Sequence, residues 1–428
     1  MLGLHALQHR GQESCGIATV NNEKILLKKH EGLVSRTFTP EEIVNLKGTM
    51  AIGHVRYSTS GEKTYSDTTN CIQPFCGQTQ HGQVALAHNG NLVDYSSVKE
   101  SLLLQNTIFT SDVDTEVILH LIIRSKKISI EEKIIDAVSQ VKGAFSLVIA
   151  TKDFLCAIRD PNGIRPLCIG KLDEARIVSS ESCAITAIGG TLQRDILPGE
   201  LLFLYKDGSE KQHFLQNIQE KFCIFEFVYF SRPDTTISGK SVYNIRKNIG
   251  KVLFEEEKCD GDIIVPVPDS GIPSAMGYAN ASNIPFEFGI IRNHYVGRTF
   301  IDPTQKTRKN KVQMKHAPNI DVIKGKRVIL VDDSIVRGTT SKKIVQMLKE
   351  AGAKEIHMKI ASPPTKFPCF YGIDTPCKED LIANNMNLAE TIAFLGVDSL
   401  QYISIDGLKK ACLGSSYCLA CFDGNYFV

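Results

Sequence analysis

Residues 328–341 read VILVDDSIVRGTTS, and the order of residue types in this stretch decides how the second half of the 428-residue chain folds. Four aliphatic residues in a row make a strand that is apolar on both faces, the pattern of a parallel sheet covered on each side. The run stops at Asp332–Asp333, and a Gly/Thr/Ser loop follows directly before a helix. Two carboxylates thus stand at the carboxyl end of a parallel strand, where open α/β sheets bind their ligands. The backbone N–H groups of Arg337, Gly338, Thr339, Thr340 and Ser341 can grip a phosphate at the helix N-terminus, helped by three hydroxyls. The carboxylates repel that phosphate, so they must face something neutral or cationic. The 2- and 3-hydroxyls of a ribose, together with Mg²⁺, meet the requirement. Paired aspartates also end strands and cap helices with no ligand present. What sets this segment apart is the Ser334-x-x-Arg337-Gly-Thr-Thr-Ser that follows them. The chain has no G-x-x-x-x-G-K-[ST] and no strand-borne G-x-G-x-x-G, so nucleoside triphosphate and dinucleotide sites lose their usual support.

Working outward, strands and helices alternate from Gly261 onward: 262–267 with 272–281, then 327–331 with 341–351, then the alternating run 355–361. Such an order predicts a parallel sheet covered by helices. Up to about residue 210 the pattern differs. Short β-like runs at 24–28, 50–57, 83–88, 145–150 and 200–205 are separated by Gly, Asn and Ser turns, with helices at 114–124 and 130–141. This reads as an antiparallel α+β unit, joined to the second unit through residues 210–230.

Bulk properties narrow the functions. A content of 43% hydrophobic and 22% charged residues is that of a globular protein. A formal charge of +2 provides no field to attract nucleic acid or an anionic membrane surface, so an anionic substrate must be held by local groups. The longest apolar runs, such as 117–123, fall far short of the roughly 20 residues of a membrane span, and the N-terminus carries no export pattern. Thirteen cysteines scattered over the chain suit free thiols in a reducing cytoplasm. Only Cys418 and Cys421, as CLAC, have ligand spacing.

The segment 328–341 resembles the diphosphate-sugar motif of type I phosphoribosyltransferases. Beyond it, IIVPVPDSGIPSAMGYA (263–279), RNHYVGRTFI (292–301), SPPTKFPCFYGIDTP (362–376) and LQHRGQES (7–14) resemble the glutamine phosphoribosylpyrophosphate amidotransferases, over essentially the whole chain. The resemblance implies an N-terminal-nucleophile αββα sandwich over 1–215, truncated at its start. It implies an α/β type I phosphoribosyltransferase domain with a mainly parallel sheet over 216–428, ending in a cysteine-containing tail. By position, Asp269, Ser270 and Gly271 would border pyrophosphate, and Ser270, Asp332 and Asp333 would surround Mg²⁺. Arg298, Lys311 and Lys315 would belong to a lid; from the residues alone this basic stretch fits a solvated loop equally well.

In the first half, GHVRYSTSG (53–61), AHNGNL (87–92) and DVDTEV (112–117) look like a glutaminase site. Arg56 would pair with the α-carboxylate of glutamine, Asp114 with its ammonium, and Asn89 with the Gly90 N–H would form an oxyanion hole. The implied nucleophile is an N-terminal cysteine whose own α-amine serves as base. The sequence begins at Met1, inside what looks like the first helix of the family, and Cys15 has no free α-amine. As written, the chain is expected not to hydrolyse glutamine: either its start lies further upstream or it depends on free ammonia.

Resemblance to the iron–sulfur subclass would make Cys223, Cys369, Cys418 and Cys421 the ligands of a [4Fe–4S] cluster. Zinc could use the same four, spacing alone fits free thiols, and Cys377 and Cys412 could compete. The implied reaction joins phosphoribosyl pyrophosphate with ammonia from glutamine, as the first step of purine synthesis, in a homotetramer inhibited by purine nucleotides. A non-catalytic sensor of phosphoribosyl pyrophosphate that binds nucleic acid would need a basic recognition surface, which the sequence does not offer.

Overall fold

A computed structural model describes residues 1–57, 68–293 and 316–427 of the chain. In the first half, strands Lys24–Glu31, Ser14–Asn21 and Met50–Arg56 form an antiparallel sheet in that order. It faces a six-stranded antiparallel sheet ordered Glu210–Phe214, Glu200–Tyr205, Phe154–Arg159, Gly143–Ala150, Gly82–Leu92, Phe75–Thr79. Small residues line the gap: Ala18, Val20 and Ile52 meet Ala85, Ala87 and Ala150. Helices Asp114–Arg124 and Ile130–Val138 cover the outer face of the larger sheet with Val117, Ile118, Ile122 and Ile134. On the other side, the short helices Leu2–Ala6, Val34–Thr37 and Pro40–Asn45 bring Leu4, Val34 and Ile43 onto Ile17 and Val55. The layers are therefore helix, sheet, sheet, helix, as the resemblance implied.

Two local differences from the sequence reading have physical causes. Strand Ser14–Asn21 was not among the expected runs because seven of its eight residues are buried, so no polar/apolar alternation marks it. The second helix ends at Val138, three residues early, because the backbone must turn into the strand that starts at Gly143, and the Lys142 N–H donates to Asp94 instead.

The chain leaves the six-stranded sheet at Phe214 and next pairs through Phe222–Cys223, which lie parallel to Tyr417–Cys418. Beyond this point four parallel strands stand in the order Ile263–Pro266, Arg327–Asp332, Glu355–Ile360, Ser399–Tyr402. Alternate residues of the second strand feed opposite cores. Ile329 and Val331 pack under helices Val242–Glu256 and Ile272–Ser282, while Val328 and Leu330 pack under helices Thr339–Glu350 and Leu388–Leu395. No helix among the described residues is long and apolar enough to cross a membrane.

Helices Val242–Glu256 and Ile272–Ser282 touch through their backbones. A methyl group on Gly250 would lie 1.8 Å from the Ser274 carbonyl oxygen, and one on Gly277 would lie 1.9 Å from that of Lys247. Neither neighbour can yield without moving a helix. Gly250→Ala and Gly277→Ala are each expected to destabilise the protein by about 3 kcal/mol, read as a lower urea midpoint at unchanged slope.

Candidate active site

The strand Arg327–Asp332 delivers its carboxylates to one place because all but its first residue are buried. Asp332 and Asp333 are each 7% exposed. The Asp333 carboxylate accepts from the Ser270 hydroxyl at 2.5 Å and from the Ser334 hydroxyl at 2.6 Å, and the Asp333 N–H donates to Asp332 Oδ1 at 2.9 Å. Burial, and then the neighbouring charge of Asp333, push the Asp332 carboxyl well above the usual carboxylate range. Gly338, at φ +73°, caps the next helix, which starts at Thr339 rather than Ser341. The free first-turn N–H groups are therefore those of Thr339, Thr340 and Ser341. The Arg337 side chain is paired with Asp380 at 3.1 Å, out on the surface.

Ser270 and Gly271 lead into helix Ile272–Ser282, and Gly271 lies so close to the sheet that a methyl group on it would sit 2.6 Å from the Val331 oxygen. Asp269 is bound by Arg292, a contact that the sequence reading did not assign although Arg292 opens the quoted RNHYVGRTFI. The lid residues Arg298, Lys311 and Lys315 lie outside the described residues.

In the first half, Arg56 ends strand Met50–Arg56 and Asp114 opens helix Asp114–Arg124. Burial alone would raise the Asp114 carboxyl, but His88 at 3.4 Å, the Leu92 N–H at 2.9 Å and the Thr115 hydroxyl at 3.3 Å hold it below its ordinary value. It is therefore a carboxylate at neutral pH. The amide of Asn89 donates to the Ser180 hydroxyl at 3.4 Å, and Gly90 follows in the same strand. His54 contacts the His88 carbonyl at 3.1 Å, and its imidazole is pushed down to about 4, first by desolvation and then by His88. It is neutral at physiological pH. Both histidines stand in the quoted motifs, yet only the folded structure gives them partners.

The two groups of residues open into one cavity of about 750 Å³: Arg56, Asn89 and Asp114 line it from the first half, Asp332, Asp333 and Thr339 from the second. No cysteine is among its lining residues. Cys15 is fully buried, shares a hydrogen bond with Thr37 at 3.3 Å, and has a thiol pushed up by burial.

Behind the cavity the halves are joined by buried charge. Arg10 reaches Glu181 at 2.5 Å and Glu226 at 2.8 Å, Arg165 reaches Glu226 at 2.8 Å, and the Ser231 hydroxyl donates to Glu226 at 2.5 Å. Buried Arg246 donates to the carbonyls of Phe227 and Ser231, and Asp333 is the carboxylate that acts on it most strongly.

The four cysteines converge from three distant stretches. Cys223 and Cys418 are strand partners, and the Tyr371 N–H points at Cys369 Sγ, 3.3 Å away. Burial raises the thiols of Cys223, Cys418 and Cys421, Cys223 to about 12, and nearby thiols of the same set raise each further. Cys377 is exposed. Among the described residues, no three His, Cys, Asp or Glu side chains close into a cage for a single metal ion.

Fold and site together define a glutamine amidotransferase unit joined to a phosphoribosyltransferase unit. The corresponding family profiles match: a glutamine amidotransferase domain over residues 59–187 and a phosphoribosyl transferase domain over 237–361. The amidophosphoribosyltransferase of Bacillus subtilis is 46% identical over 432 residues, covering 99% of this chain and 90% of the relative. The chloroplastic amidophosphoribosyltransferase 1 of Arabidopsis thaliana is 48% identical, covering 99% and 75%. A solved structure of the B. subtilis glutamine phosphoribosylpyrophosphate amidotransferase, in complex with ADP and GMP, superposes with a TM-score of 0.93 at 45% identity, covering 99% of this chain and 93% of the other. The chain belongs to the amidophosphoribosyltransferase family.

Asp332 gives a pH test of the acceptor half. Its carboxyl is raised in the fold, so without metal the folded state holds a proton that the unfolded state releases above about pH 4. The contribution of this group to stability therefore falls as pH rises from that point. Asp332→Asn is expected to stabilise the EDTA-treated protein at pH 7 by on the order of 1 kcal/mol and to flatten its pH–stability profile. A lower urea midpoint for the variant at pH 7 would contradict the repulsion.

Proposed function

We propose that this chain forms 5-phosphoribosylamine from phosphoribosyl pyrophosphate and ammonia, the ammonia being drawn from glutamine by the first half, as the first step of purine nucleotide synthesis. The observation that carries the proposal is the shared cavity: Asn89, beside which ammonia would be released, and the carboxylate pair that would receive it line the same space. The domains divide near residue 215. In the glutaminase domain, 1–215, Arg56 takes the α-carboxylate of glutamine and Asp114 its ammonium, and Asn89 and the Gly90 N–H face the amide oxygen. In the transferase domain, 216–428, the N–H groups of residues 337–341 hold the 5-phosphate, and Asp332 and Asp333 orient the ribose hydroxyls. Asp269, Ser270 and Gly271 border the pyrophosphate. The nitrogen lone pair forms the bond to the anomeric carbon, the bond from that carbon to the pyrophosphate oxygen breaks with its electron pair, and the nitrogen loses a proton to solvent.

The Ser270 hydroxyl and the two carboxylates form a donor set of hard oxygens suited to Mg²⁺, whose charge would offset both the Asp332–Asp333 repulsion and the leaving group. The four gathered thiols supply the usual ligand set of a [4Fe–4S] cluster. Cys223, Cys369, Cys418 and Cys421 would then tie the junction and the tail to the second domain. Purine nucleotides as feedback inhibitors, a tetramer and a cytoplasmic location complete the reading; the ADP and GMP held by the B. subtilis relative favour the first of these.

Pyrophosphate release by the chain Met1–Val428 tests the reaction. Release is expected with ammonia. Glutamine is offered in parallel as the second donor. No release with either donor overturns the proposal. Arg56→Ala is expected to weaken glutamine binding 10- to 30-fold, about 1.5–2 kcal/mol for a charged hydrogen-bonded pair, measured by ligand titration. Anaerobically prepared protein is expected to be brown with about four irons per chain; a colourless, zinc-loaded sample would refute the cluster.

A further inference from the structure

Gly90 is held between two backbones. A methyl group on it would overlap the Ala144 carbonyl oxygen, 1.9 Å away in the neighbouring strand, so Gly90 has no room to move toward that strand. The opposite contact comes from the second half of the chain, 282 residues further along the sequence. Gly372, at φ +97°, lies so close that a methyl group on it would stand 2.9 Å from both the Cα and the carbonyl carbon of Gly90. Beside this contact, the Asn91 side-chain amide donates to the Phe370 carbonyl at 3.0 Å.

The loop that makes these contacts is itself fixed. Tyr371 is 2% exposed and its hydroxyl accepts from the Phe427 N–H at 3.0 Å, while the Cys369 N–H donates to the Thr375 hydroxyl at 2.6 Å. Its following residues, Ile373 and Asp374, face the shared cavity. A fixed loop of the transferase half therefore bears on the Cα and carbonyl of Gly90, the residue whose N–H is read as an oxyanion donor.

We propose that Gly372 is a positioning residue for the oxyanion hole, setting where the Gly90 N–H points. This rests on the reading of Asn89 and Gly90 as that hole. A donor of this kind works only within a few tenths of an ångström of its place, and backbone against backbone gives less play than a side chain would. The contact also gives the transferase half a direct means of holding the glutamine half in working geometry.

Binding of L-glutamine and of L-norvaline, which has the same carbon skeleton without the amide, separates this role from plain packing. Ligand-observed NMR titration of the full chain is expected to show glutamine binding more tightly than norvaline, and Asn89→Ala to reduce that preference. Gly372→Ala is expected to cut the preference about tenfold, the worth of one well-made hydrogen bond, with norvaline affinity held within about twofold. Asn91→Ala, which removes the bond to the Phe370 carbonyl and so loosens the loop that holds Gly372 against Gly90, is expected to cut it about threefold, and it serves if Gly372→Ala does not fold. If the variant that folds weakens both ligands equally, or leaves the preference intact, Gly372 only packs and the proposal falls. If the unaltered chain shows no preference, or Asn89→Ala does not change it, the oxyanion reading itself falls and takes the proposal with it.

Discussion

The shared cavity depends on the buried charges that join the halves. Arg10, Glu181, Glu226 and Arg165 are each 8% exposed or less, so they are largely cut off from bulk water. Taking such groups out of water costs several kcal/mol per ion, and only close, oriented partners offset it. The arrangement is therefore intolerant of small shifts between the halves: sliding one against the other would strand a carboxylate or a guanidinium in the interior. Apolar packing is less particular about direction. Charge gives this junction its orientation, and both guanidinium groups are further confined by the Phe230 ring, 4.6 Å from Arg10 and 5.1 Å from Arg165.

Orientation matters because both halves turn acidic groups into one cavity. The first half presents a carboxylate kept ionised by His88 and two hydrogen bonds. The second presents a carboxyl pair whose members repel each other, with a helix N-terminus nearby. The repulsion is stability withheld from the folded chain at neutral pH, and a cation or a pair of sugar hydroxyls relieves it. Buried Arg246 links this pair to the junction, since it donates to the Phe227 and Ser231 carbonyls beside Glu226 while feeling the charge of Asp333. Domain orientation and acceptor-site electrostatics thus share one buried side chain.

The second half also reaches the first through the loop around Tyr371. Cys369 stands three residues before Gly372, so the segment that contributes to the thiol group also abuts Gly90. Tail residues hold it from behind: Tyr426 donates to the Pro368 carbonyl, and Phe427 meets the Tyr371 hydroxyl. Tail, loop and the strand Gly82–Leu92 form one continuous line of contact.

The sequence by itself determined the parallel strand that ends in Asp332–Asp333, the helix that follows it, and the antiparallel character of the first half. Each of these is written in short-range pattern: an unbroken aliphatic run, a glycine before a helix, alternation between turns. Where burial erased alternation, as in Ser14–Asn21, the pattern fell silent. Motif resemblance named Arg56, Asn89, Asp114 and the four cysteines, but not their surroundings. Only the tertiary structure placed His88 beside Asp114, Arg292 on Asp269, Arg10 between two buried glutamates, and Gly372 against Gly90. These partners lie 23 to 282 residues apart, and no periodicity spans such distances. Their meeting is decided by how whole layers pack and by the few orientations in which buried charges find their counterparts.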